Sequence, residues 1–144
     1  MFNGKKVLAL IPARGGSKRL PRKNLRNICG KPLIYWTVSA AQESECVDCV
    51  AVSTDDPELQ EISRNCGVDV LIERPAELAS DDAGTLDVLF HALKAISRHR
   101  QEYDYIALLQ PTSPLRNSKH VDDAFRLMQK KSASVVIAVC ETEH

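Results

Sequence analysis

Between residues 6 and 139, short apolar runs alternate with segments whose apolar residues recur at helical spacing. No other feature of the 144-residue chain limits its fold as strongly. Residues 6–12 read K-V-L-A-L-I-P, a nearly continuous apolar run ended by proline. Such a run predicts a strand buried on both faces. Residues 13–30 are rich in Gly, Lys, Arg and Asn and predict a long loop. A helix is predicted over 32–43 with Pro32 in its first turn, then a strand over 47–53. The next helix spans 57–65, with Thr54 or Asp55 as its cap and Gly67 as its terminator. A third strand over 68–72 and a turn-prone loop over 74–84 follow. Over 85–99, Leu86, Leu89, Phe90, Leu93 and Ile96 form one helical stripe. A fourth strand over 105–109 leads through a polar loop to a helix over 119–131, with Val121, Ala124, Phe125 and Met128 inward. A-S-V-V-I-A-V over 133–139 predicts a fifth strand.

Strands alternating with helices predict an α/β protein: a mostly parallel sheet with helices on both faces, in a Rossmann-like three-layer arrangement. The length suits a single domain over 1–144. Sheets of this kind bind ligands beyond the carboxyl ends of their strands. The loops over 13–24, 74–85 and 110–118 leave those ends, and they have the most unusual compositions in the chain.

The first of them, A-R-G-G-S-K-R-L-P-R-K-N, places Arg14, Lys18, Arg19, Arg22 and Lys23 within ten residues. Gly15 and Gly16 let backbone approach an anion without an intervening Cβ, and consecutive N–H groups there can form an anion-binding nest. Ser17 adds a hydroxyl. The loop is either a polyphosphate site or a solvated basic loop, and its place directly after the first strand favours the former. The usual phosphate fingerprints are absent. Gly30-Lys31 is followed by Pro32, which excludes a P-loop, and no G-x-G-x-x-G occurs, so kinase and dehydrogenase readings lose their main support.

The second loop offers Arg74, whose fork suits a base carbonyl or a carboxylate, and Thr85, which either caps the next helix or contacts a ligand. Asp81 and Asp82 are either a metal pair or solvated caps. In the third loop, Q-P-T-S-P-L-R, Gln110 either stabilises the loop or reads a ligand. His91 is read as a packing residue, and Tyr35 and Trp36 as core or interface residues.

Lys and Arg together number 19, as do Asp and Glu, so the net charge is zero. That balance argues against a broad nucleic-acid or membrane surface and leaves room for a local anion site. The apolar run near the N-terminus is too short for a span and lacks a signal peptide's build, so a cytoplasmic protein is expected. The cysteines are Cys29, Cys46, Cys49, Cys66 and Cys140. Their odd number fits free thiols, and the lone C-x-x-C of Cys46 and Cys49 has no second pair to complete a zinc site.

Taken together, I-P-A-R-G-G-S-K-R-L-P-R-K-N, V-S-T-D-D, R-P-A-E-L-A-S-D-D-A and L-L-Q-P-T-S-P-L-R resemble the acylneuraminate cytidylyltransferases, in this order and across essentially the whole chain. The resemblance implies the nucleotide-diphospho-sugar transferase variant of the fold. It implies transfer of CMP from CTP to an acidic, sialic-acid-type nine-carbon sugar with release of pyrophosphate. Arg14 and Lys18 would then stabilise charge at the triphosphate, with Gly15, Gly16, Ser17 and Lys23 holding phosphate and Asn24 holding ribose or phosphate. Arg74, the Ala83 backbone and Thr85 would read cytosine, and Gln110, with Thr112 and Ser113, would face the sugar. A Kdo-type sugar is the alternative. However, Gln110-Pro111-Thr112-Ser113 stands where those relatives carry an Asp-containing stretch, which favours a sialic, legionaminic or pseudaminic acid. The resemblance further implies Mg²⁺, a homodimer, and family members that run on past residue 144 with the metal carboxylates. The chain is therefore expected to be the N-terminal part of such an enzyme, either active or a catalytically incomplete CTP-binding fragment.

Overall fold

The computed structural model describes residues 1–17, 19–80, 83–98 and 102–139. Its centre is a four-stranded sheet of β1 (Val7–Pro12), β4 (Cys49–Thr54), β5 (Val70–Glu73) and β6 (Tyr105–Leu108). The strand order is β5-β4-β1-β6 and every pairing is parallel. Helices α1 (Leu33–Gln42), α2 (Pro57–Asn65) and α3 (Thr85–Ser97) connect the strands, and α4 (Ser118–Lys130) follows β6.

Alternation along β1 explains the layering. Val7, Ala9 and Ile11 face one way and pack with Ile34 and Val38 of α1, Leu59 of α2, and Val121 and Phe125 of α4. Leu8 and Leu10 face the other way, with Ala51, Ile72 and the α3 residues Ala92 and Ile96. The expected α/β sandwich, with helices on both faces, is thus what the chain forms. The same alternation separates the C-x-x-C. Cys46 packs on the α1/α4 side and Cys49 on the α3 side, so the pair is neither a chelate nor a redox couple. The four described cysteines are free.

Several local expectations are corrected. The cap of α2 is Asp56, not Thr54 or Asp55: its Oδ1 accepts from the N–H groups of Glu58 and Leu59 at 2.8 and 3.2 Å. Gly67 ends that helix with φ +74°, as a glycine beyond a helix end should. Inside the long first loop lies a small antiparallel hairpin, β2 (Asn27–Ile28) and β3 (Lys31–Pro32). Its turn residues Cys29 and Gly30 both have positive φ, and Trp36 Nε1 donates to the Ile28 carbonyl, docking the hairpin on α1.

Residues 133–139 form no strand. Ser132 turns the chain at φ +49° and the Ala133 N–H is spent on the Met128 carbonyl, closing α4. The residues beyond pair with no strand among the described residues; Ala133 and Val136 pack on the core, while Val135, Ile137 and Val139 stay 71–89% exposed. β-propensity acts through packing against neighbouring strands, so the composition of the run alone cannot make it a strand.

The α1–β4 turn is held by a buried carboxylate on α4. Asp122 accepts from the Ser44 hydroxyl at 2.6 Å and from the Cys46 N–H at 3.2 Å. Burial alone would raise its pKa, but the hydrogen bonds from Ser44, Cys46 and Glu45 together outweigh burial and hold it below the ordinary carboxylate value. Removing the acceptor in Asp122→Ala strands these buried donors and should lower stability by about 2–3 kcal/mol in urea unfolding. A carboxylate with a lowered folded pKa contributes its stability above the unfolded value. The wild-type advantage should therefore fade as pH falls below about 4, and the variant should not show that loss.

Candidate functional site

The roots of the three unusual loops are tied together by the sheet. The Ala13 N–H donates to the Ser53 carbonyl, the Arg74 N–H to the Thr54 carbonyl and the Leu109 N–H to the Leu10 carbonyl, each at 2.9 Å. The loops therefore rise side by side from the carboxyl ends of β1, β5 and β6 and enclose a cleft of about 240 Å³. The first loop contributes Arg14, Gly16, Ser17, Lys23 and Asn24, and the second contributes Arg74, Leu78, Ser80 and Ala83. Thr85 and Val88 come from α3, and Gln110, Pro111 and Thr112 come from the third loop. Among the described residues Arg14, Lys23 and Arg74 line the cleft and no carboxylate does, so its field favours an anion.

Gly15, a described candidate, does not line the cleft. Its N–H donates to Asp55 Oδ1 at 2.9 Å and so is not available to an anion-binding nest. A Cβ at Gly15 would lie 2.5 Å from Asp56 Oδ2. Glycine is needed there for close approach to the β4–α2 turn, whereas a Cβ at Gly16 would meet nothing within 4 Å. Arg22 also turns away from the cleft. It pairs with Asp56 at 3.2 Å and Glu58 at 2.6 Å and fastens the loop from outside. Lys18, Asp81 and Asp82 lie outside the described residues.

Asn24 is 7% exposed. Its Nδ2 donates to the Arg14 carbonyl at 3.0 Å, which fixes the orientation of the amide, and its Oδ1 is buried without a partner. An orphan acceptor at a cleft wall calls for a donor such as a hydroxyl and disfavours a phosphate oxygen. Arg74 is 6% exposed; its Nη2 donates to the Ser53 carbonyl at 2.8 Å and its Nε to Ser53 Oγ at 3.3 Å. Burial lowers the pKa of its guanidinium, the charge of Asp55 works the other way, and Arg14 adds to the lowering. An arginine nonetheless stays protonated.

Thr85 does not cap α3. The cap position is Gly84, with no side-chain hydrogen bond, and the exposed Thr85 lines the cleft instead. The third loop is pinned by Arg116, whose Nη1 donates to the Gln110 carbonyl at 3.2 Å. Thr112 reaches the cleft and Ser113 does not. His91 stays outside it. No group of three or more His, Cys, Asp or Glu that could hold a metal occurs among the described residues.

The family model described as "Cytidylyltransferase" matches residues 8–143. The chain belongs to the cytidylyltransferase family. Among its curated relatives, an N-acylneuraminate cytidylyltransferase of Escherichia coli O18:K1:H7 is 43% identical over 124 residues, 86% of this chain and 28% of the relative. A CMP-N,N'-diacetyllegionaminic acid synthase of Legionella pneumophila is 37% identical over 131 residues, 91% of this chain and 56% of the relative. A solved CMP:2-keto-3-deoxy-manno-octonic acid synthetase in complex with CTP superposes with a TM-score of 0.72 at 30% identity. It covers 89% of this chain and 49% of that one. The cytidylyltransferase chain thus spans little more than half the length of these relatives, or less. Among its described residues no helix is long and apolar enough to cross a membrane.

Sequence reasoning missed Ser53, Asp55, Asp56 and Arg116 as supports of this site. Only the V-S-T-D-D stretch hinted at the first three, because two adjacent acids directly after a buried strand have no other charge partner nearby in sequence.

Proposed function

We infer that this cytidylyltransferase chain forms the nucleotide side of a site that transfers CMP from CTP to a nine-carbon sugar acid of the sialic type. One observation carries the reading: three loops converge on a single cleft that combines cations, a buried arginine fork and a buried acceptor without a partner. The cations suit a triphosphate, the Arg74 fork suits a pyrimidine carbonyl, and the orphan Asn24 Oδ1 suits a ribose hydroxyl.

In the reaction the anomeric hydroxyl oxygen attacks the α-phosphorus. The new sugar O–P bond forms as the bond to pyrophosphate breaks, and the hydroxyl proton leaves. Arg14 and Lys18 offset the charge that builds on the phosphate oxygens. Gln110 and Thr112, which line the same cleft, face the sugar. The names of the curated relatives support a sialic, legionaminic or pseudaminic acid, and the Q-P-T-S stretch favours the same choice over Kdo.

Calorimetry of the chain with CTP, UTP and ATP tests the reading. CTP should bind in preference to both. Equal weak binding of all three removes the cytosine assignment and reduces the cleft to a general anion site.

A further inference from the structure

The cleft's first loop is held mainly from the neighbouring β4–α2 turn, where two adjacent carboxylates divide the task. Asp56 caps α2 through Oδ1, pairs with Arg22 and stands where any Cβ on Gly15 would have to be. Asp55 accepts the Gly15 N–H at 2.9 Å, and its charge is felt by Arg74, the buried fork of the second loop. Neither carboxylate lines the cleft, so both act on it only by placing the loop that does.

We propose that Asp55 is a positioning residue of the nucleotide site, coupling the Gly15–Gly16 backbone of the first loop to the Arg74 guanidinium of the second. The proposal rests on the nucleotide-site reading. Asp55 accepts from the Gly15 N–H at 2.9 Å, and Thr54, the residue before it, accepts from the Arg74 N–H at 2.9 Å, so one turn anchors both loops. Loss of the Gly15 contact frees the first loop to move relative to the Arg74 wall. In this role Asp55 keeps the spacing between the phosphate-facing and base-facing walls, which no residue touching the ligand does alone.

The test combines CTP calorimetry on the chain with nitrogen-15 spectra that follow the Gly15 and Gly16 amides and the Arg74 Nε–H. In Asp55→Ala, these three signals should move while the rest of the spectrum stays in place. CTP affinity should fall by about tenfold to a hundredfold, the range for losing a charge-assisted hydrogen bond and its consequences. Asp55→Asn keeps an oxygen that can accept from Gly15 but has no charge. It should restore the Gly15 signal, leave Arg74 displaced and recover part of the affinity. Wild-type affinity in Asp55→Ala, or an unmoved Gly15 signal, overturns the proposal. So does a collapse of the whole spectrum in both variants, which marks a purely structural role. A wild-type chain that takes up no CTP defeats the functional reading at the first titration. Wild-type affinity in the alanine variant defeats only the positioning role.

Discussion

Gly15→Ala is expected to weaken CTP binding on the order of 10²-fold, the scale on which a displacement of about 1 Å acts at a site. The new methyl carbon would lie 2.5 Å from Asp56 Oδ2 and 2.7 Å from Asp56 Cβ. The second of these contacts cannot be relieved by a flexible tip. Asp56 is itself fixed by capping α2 and by Arg22. Either the first loop lifts away, losing the Gly15–Asp55 hydrogen bond, or the start of α2 frays. Both routes cost about 1–3 kcal/mol, as overpacking does, so the melting temperature should drop by several degrees together with the affinity. Gly16→Ala is the matched control, because its Cβ enters open space and should leave the melting temperature alone. A Gly15→Ala protein with both wild-type melting and wild-type CTP affinity would show that the close approach to Asp56 is not a constraint.

The second large effect is expected at Arg74. Arg74→Leu removes the donor for the Ser53 carbonyl and hydroxyl. Losing one member of a buried charged network should lower stability by about 2–4 kcal/mol, read from the urea midpoint. CTP preference over UTP and ATP should vanish with it. Arg74→Lys should restore part of the stability and little of the preference, since an ammonium is a point charge that cannot copy a planar fork. Full selectivity in the lysine variant would refute the base-reading role of Arg74.

The layers of the fold were legible because they follow from periodicity. The V-L-A-L-I of β1 is apolar at consecutive positions, and all five residues are fully buried between two helical layers. The stripe on α3 was misplaced: Val88, Ala92 and Ile96 are its buried face, Leu89 and Leu93 flank it, and Leu86 and Phe90 remain 65% and 64% exposed. The apolar run over 133–139 misled because a strand needs a partner as well as a composition. The roles of the first loop were harder to read for the same kind of reason. Gly15 and Gly16 are identical letters side by side, yet one is required by Asp56, 41 positions away, and the other opens onto the cleft. Arg22 and Lys23 are adjacent cations, and only the second lines the cleft. Composition reports that a loop is basic. Which cations point inward is decided by carboxylates on another segment.

The hydrogen bonds that join the loop roots across β1, β4 and β6 have an engineering consequence. The floor of the cleft is the edge of the sheet itself, not a separate scaffold resting on it. A directed-evolution library aimed at the interior of β1 or β4 would shift the loop roots and be selected as though it were a recognition library. Specificity can be altered independently only from the loop crests, at positions such as Ser17, Ser80 and Thr112, whose backbones lie beyond that shared framework.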